Sequence, residues 1–214
     1  MRIYFLQKLI GPRRSTLIDM RGFTLIETVV AVAILIAAIV GPVTLIAHSL
    51  FSASFSRNDL IGTNLAQEGI EFFRAVRDNN ILCASLGGTM DWRKDPSSGG
   101  PLIGFYEIDP VSTIALSCGS RSINTPLPIQ RTAATCVTPI RVDANGLYSY
   151  VGGTPSGMTR CVRVCSPPTA APCSAAANGD IPASDQMEII STVSWSERGT
   201  AKSITIRSRL YNWK

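Results

Sequence analysis

Hydrophobic positions along this chain change their period twice. From Phe23 to Phe51 nearly every position is apolar, and Glu27 is the only formally charged side chain. About 20 consecutive apolar residues, rising 1.5 Å each, suffice to cross a bilayer, so the run to about Leu50 predicts a membrane helix. Beyond it the apolar residues thin to one stripe. Phe51, Phe55, Ile61, Leu65, Phe72 and Val76 recur at helical spacing, while Arg57, Asp59, Glu68, Glu71 and Arg77 fall mostly elsewhere. The spacing predicts a helix continuing to about Asp78 and ended by Asn79-Asn80, roughly 84 Å long if unbroken. Its inner half is then lipid or assembly core, and its outer half the spine of a globular head.

From Ile81 onward Gly, Pro, Ser and Thr become abundant and short β-rich runs alternate with turn signals. Strands are expected at Leu102 to Ile108, Thr113 to Ser117, Cys136 to Val142, Leu147 to Val151, Thr159 to Val164, Met187 to Trp195 and Lys202 to Tyr211. Asp143 to Gly146 reads as a hairpin turn. In the last two strands Ile189, Ser191, Val193 and Trp195 share one face, as do Ile204, Ile206, Ser208 and Leu210. This terminal hairpin, joined by Glu197-Arg198-Gly199, should lie on the helix stripe. Asp91 to Gly100 and Ser166 to Asp185 read as surface loops. The fold class expected is α+β, a long helix against an antiparallel sheet.

Glycine and proline modify the helix. Gly41-Pro42 removes one amide donor inside the apolar run and predicts a kink or loosening near residues 38 to 42. Gly62 and Gly69 each weaken the outer half by about 1 kcal/mol relative to alanine, which close packing against a sheet would explain.

Charge sets the topology. Residues 1–22 carry Arg2, Lys8, Arg13, Arg14 and Arg21 against Asp19, a net of +4, so most of the overall +5 lies in this segment. Positive residues beside a membrane helix stay cytoplasmic, which puts everything beyond Leu50 outside. A carboxylate in hydrocarbon costs roughly 2.5 kcal/mol or more, so Glu27 calls for a cationic partner.

The stretch Arg21-Gly22-Phe23-Thr24-Leu25-Ile26-Glu27, a basic leader followed by an apolar helix, resembles the processing site of type IV pilins and pseudopilins. That resemblance covers about 30 residues. It implies that a prepilin peptidase cuts after Gly22 and that Phe23 becomes the N-methylated mature terminus. The new α-amino group, with an ordinary pKa near 7.7–8.0, would then be the cation that Glu27 neutralises, in its own chain or in a neighbour. The domains implied are a leader (1–22), a transmembrane and filament-core half-helix (23–50), an amphipathic half-helix (51–80) and a β-rich head (81–214). The partners implied are the peptidase, other pilin-like subunits and, before assembly, membrane lipid. The run Glu27 to Ile36 is similar to the minor-pilin and pseudopilin branch. An ordinary secretory signal is the rival reading, with cleavage near Ala47-His48-Ser49 or Ser52-Ala53-Ser54.

Cys83, Cys118, Cys136, Cys161, Cys165 and Cys173 all fall on the exported side and can form up to three disulfides. On an extended strand Cys161 and Cys165 stand about 13 Å apart, too far to bond each other. Cys165 with Cys173 would close a short loop, and the other pairings stay open. The head has no histidine and no C-x-x-C pair, so no metal site, cofactor or Ser-His-Asp arrangement is expected. Glu107 with Asp109, and Asp185 with Glu188, read as solvated strand ends rather than acid/base pairs. A nucleic-acid role wants a basic face with aromatics, for which Arg207, Arg209, Tyr211, Trp213 and Lys214 are the weak candidate. The sequence therefore reads as a structural filament subunit, with a membrane-tethered adhesin or ligand-binding module as the alternative.

Overall fold

The computed structural model describes Gly22, residues 24–131, 136–166, 168, 173 and 181–212. The chain divides into two units, Met1–Ser52 and Ala53–Lys214. A single helix, α1 (Leu25–Ser85, 61 residues), supplies residues to both.

In the first unit α1 is apolar on all sides. Every described residue up to Ser52 is exposed, except the half-buried Ala47. The helix continues through Gly41 and Pro42.

In the second unit α1 acquires an inward face, because Leu65, Ala66, Gly69, Ile70, Phe72, Phe73 and Val76 recur every three or four residues and are buried. They pack on a seven-stranded sheet of β1 (Gly104–Cys118), β2 (Arg121–Arg131), β3 (Pro139–Val142), β4 (Tyr148–Ser149), β5 (Thr154–Cys165), β6 (Gln186–Glu197) and β7 (Thr200–Tyr211). All pairings are antiparallel. Strand β5 lies at the centre, with β1 and β3 along one edge and β6 then β7 beyond the other. The architecture is α+β, as expected.

The main core joins Ile70, Phe72, Phe73 and Val76 to Tyr106, Ile108, Val162, Val164, Met187 and Ile189. Phe73 stands edge-on to Phe72 and Tyr106 with ring centroids 5.4 and 5.2 Å away, the geometry aromatic quadrupoles favour. A second cluster sets Leu65 and Ala66 against Ile140, Met158, Val193 and Trp195. The β6–β7 hairpin lies on the helix stripe with the anticipated faces inward, and its register sets Ser191 opposite Ile206 and Val193 opposite Ile204. Its turn is Arg198-Gly199, both at positive φ (51° and 79°). Such a two-residue turn matches the twist of the strands it joins. A Cβ on Gly62 would sit 2.9 Å from Trp195 Cζ3, and one on Gly69 would strike Ser191 Oγ. Both glycines thus mark close approach of helix to sheet. At Asp143 to Gly146 the expected turn forms, closed by Asp143 N–H donating to Leu147 O at 3.0 Å.

Several elements differ from expectation. The helix does not end at Asn79-Asn80 but runs to Ser85. Asn80 is buried, and its Nδ2 donates to Lys94 O at 2.7 Å, so the amide ties down the following loop instead of capping the helix. The strands expected at Leu102 to Ile108 and Thr113 to Ser117 are one strand, β1, whose register slips between them. Pro110 has no N–H to donate, and Asp109 Oδ1 accepts from Val111 N–H at 3.1 Å, which makes the slip a bulge rather than a break. Strand β2 was not anticipated, because Pro126 and Pro128 argue against a strand. It pairs with β1 alone, and an edge strand tolerates proline. The loop Asp91 to Gly100 is not wholly superficial: Trp92 enters the main core and Asp95 is buried, accepting from Ser97 N–H at 2.7 Å. The other loop, Ser166 to Asp185, falls mostly outside the described residues, apart from residues 166, 168, 173 and 181–185.

Candidate membrane and assembly site

The first turn of α1 carries the residues on which the sequence reading rests. Gly22 precedes it, exposed and without regular structure, while Phe23 lies outside the described residues. Thr24 O accepts from Glu27 N–H at 3.0 Å and from Thr28 N–H at 3.2 Å, which starts the helix there. Glu27 therefore stands in the first turn, where the unpaired N–H groups favour a negative charge by about 0.3–1 kcal/mol.

Above Glu27 the side chains suit an apolar surrounding. Leu25, Ile34 and Leu45 are 82%, 64% and 69% exposed, and the large aliphatic residues between them are similarly open. A helix apolar all round belongs inside a membrane or among other helices, since water penalises about 25 cal/mol for each Å² of apolar surface. Three of its hydroxyls are satisfied internally. Thr28 Oγ1 donates to Leu25 O at 2.8 Å, Thr44 Oγ1 to Gly41 O at 2.7 Å and Ser49 Oγ to Leu45 O at 2.9 Å. In hydrocarbon no water replaces a missing partner, so such bonds back to the helix are what that medium requires. The helix is long and apolar enough to cross a membrane.

In the head, six cysteines form three disulfides: Cys83–Cys118, Cys136–Cys161 and Cys165–Cys173, with Cα separations of 4.8, 5.2 and 6.4 Å. The first fastens the end of α1 to the end of β1. The second fastens the segment before β3 to β5. The third is the short loop that the sequence suggested.

Sequence reasoning missed a buried cation. Arg160 on β5 is 1% exposed, and it donates from Nη2 to Ile108 O at 2.7 Å and from Nη1 to Leu65 O at 3.2 Å and to the Glu68 carboxylate. One guanidinium so joins helix, β1 and β5. A signal for it existed: Met158, Arg160, Val162 and Val164 alternate along β5, and their shared face is the inward one. Glu107, Asp109 and Glu188 are also buried, contrary to the expectation of solvated strand ends. Glu107 Oε1 accepts from Thr138 N–H at 3.2 Å, a structural role.

Two of the head's concavities adjoin α1. A groove of about 580 Å³ runs beside Ile61, Leu65, Val111, Leu147 and Tyr148. A cleft of about 680 Å³ opens at the far end of α1, where Ile81, Leu82 and Met90 meet Asp78, Asp91 and Asp185. Burial works against the charge on Asp91, but hydrogen bonds from the Arg93 backbone and guanidinium outweigh it and hold this carboxyl below the usual carboxylate range. Among the described residues no group of three His, Cys, Asp or Glu could hold a metal ion. The basic residues Arg207 and Arg209 share the outward face of β7 with Tyr211, opposite Ile190 and Glu188, and Arg207 Nη1 lies 3.7 Å from Glu188 Oε1. Trp213 and Lys214 lie outside the described residues.

Comparison of the chain with protein-family models, curated proteins and solved structures gives no match.

Proposed function

We propose that this chain is a structural subunit of a type IV pilin-like filament, a minor pilin or pseudopilin, cut after Gly22 by a prepilin peptidase and methylated at Phe23. One observation carries the reading. A helix exposed and apolar on every side, with a single carboxylate in its first turn, directly follows the Arg21 to Glu27 pattern. The membrane covers that surface before assembly, and the helices of other subunits cover it afterwards. Glu27 neutralises the amino terminus of its own or an adjoining chain and so fixes the axial register. The disulfide-tied head is the extracytoplasmic part. Enzymatic chemistry has no place in this reading, and neither does a cofactor.

The alternative, a tethered adhesin that does not polymerise, makes a different prediction for one substitution. Glu27→Ala should leave the head exported and folded while abolishing its recovery in sheared filaments with other pilin-like subunits. If Glu27→Ala co-assembles as well as the unaltered chain, the filament reading fails.

A further inference from the structure

Asn145 and Gly146 stand exposed at the tip of the β3–β4 connection. In an asparagine-glycine pair the glycine nitrogen can attack the preceding side-chain carboxamide, and the reaction is easiest with glycine because no Cβ stands in the way. Nothing from elsewhere in the head obstructs it here. A Cβ built on Gly146 would meet no atom within 4 Å, and its φ of +81° is one that glycine adopts freely. No other described asparagine precedes a glycine; the second such pair in the chain, Asn178-Gly179, lies outside the described residues.

Asp143 holds the atoms that would react. Its Oδ1 accepts from the backbone N–H groups of Asn145 and Leu147, at 2.8 Å each, as an aspartate opening a turn does. Its Oδ2 accepts from Asn145 Nδ2 at 3.4 Å, and its carbonyl O accepts from Gly146 N–H at 3.1 Å. The nitrogen that would attack and the nitrogen that would leave therefore both donate to one residue. Hydrogen bonds from the Leu147 amide, and then from Asn145 and Gly146, hold the Asp143 carboxyl below the usual carboxylate range, so it is ionised at neutral pH. A negative charge beside Gly146 N–H disfavours removal of that proton, which the attack requires.

We infer that Asn145 is a deamidation site that Asp143 keeps closed in the folded head. When the turn opens, the Gly146 nitrogen gives its proton to water and bonds to Asn145 Cγ. The Cγ–Nδ2 bond breaks, and Nδ2 takes a proton from water and leaves as ammonia. Water then opens the succinimide ring, at Cγ to give aspartate or at the backbone carbonyl of residue 145 to give isoaspartate. One water is consumed, one ammonia is released, and nothing is oxidised or reduced. The product cannot re-form the turn as it was. A carboxylate at 145 has no N–H for Asp143 Oδ2 and repels it, and in isoaspartate the main chain gains a carbon between residues 145 and 146. Gly146, Leu147 and Tyr148 line the groove beside Ile61 and Leu65, so the modification loosens one wall of that groove. Only the head's fold is needed, so the site stands whether or not the chain polymerises.

The test keeps the full chain at neutral pH, in its native membrane and in urea, and follows residue 145 by peptide mass mapping that separates asparagine, aspartate and isoaspartate. In urea Asn145 should convert about as fast as Asn178, whose pair acts as the clock. In the folded chain it should convert at least about tenfold more slowly than in urea, because reaction then waits for local opening. Asp143→Ala should raise the folded rate about tenfold, with the tryptophan fluorescence of the head unchanged. Asp143→Asn, which keeps an acceptor for the two backbone N–H groups and loses the charge, should raise it by less and serves if the alanine variant does not fold. An Asn145 that survives in urea while Asn178 converts would overturn the site. Equal rates folded and in urea, or a folded rate that neither Asp143 variant changes, would overturn its closure by Asp143.

Discussion

The two halves of α1 belong to one helix and ask for different partners. Before Ser52 the aliphatic residues point in every direction and none is buried; after it they collapse to one stripe, and Leu65, Phe73 and Val76 vanish into a sheet. The amount of apolar surface and its angular distribution change together at Ser52. A striped helix completes its burial within its own fold, whereas one that is apolar all round must be covered from outside.

That contrast can be broken most forcefully at Phe73, which is 0% exposed and touches two aromatic rings. Phe73→Ala should cost the head about 3–5 kcal/mol in urea unfolding followed by the fluorescence of Trp92 and Trp195. Ile34→Ala should leave the same transition unmoved. Equal losses from both would mean that the inner half is packed within the fold after all.

The disulfide between Cys83 and Cys118, separated by 35 residues, comes next. Replacing both cysteines with alanine should lower head stability by about 2–4 kcal/mol, read in the same unfolding experiment. The glycines sharpen the comparison further. Gly69→Ala should cost about 1–3 kcal/mol, because the new Cβ meets Ser191 Oγ. Gly41→Ala, with nothing within 4 Å of its Cβ, should cost the head nothing.

The smallest effect concerns pH. Asp91 has a folded pKa below the ordinary aspartate value of 3.8, so its stabilising contribution is fully present above that value and is lost as pH falls through the lower, folded one. Asp91→Asn should therefore flatten the dependence of head stability on pH below about 4 and should leave the dependence near neutrality unchanged.

Much of the head was legible because its elements obey local rules. The terminal hairpin alternates cleanly, the Asp143 turn has the right chemistry, and the helix stripe keeps its period. What escaped was settled by tertiary context. Asn80 looked like a helix end because its amide competes for backbone partners, yet those partners, Trp92 O and Lys94 O, lie beyond the helix. Strand β2 was not expected, since Pro126 and Pro128 each lack an N–H and nothing local marks that segment as an edge. Arg160 was overlooked because a cation on an apolar face is tolerated only where carbonyls and a carboxylate converge, and these come from α1 and β1. Cysteine pairing followed the same division: the short Cys165–Cys173 loop was visible in the spacing, and the two long-range pairs needed the sheet.

The central claim is that the inner half of α1 begins at a processed terminus and is covered by other subunits. Intact mass and terminal sequencing of the protein taken from its native membrane or surface test it most directly. The account predicts a chain that starts at methylated Phe23. A chain starting at an uncut Met1, or between His48 and Phe55, would contradict it.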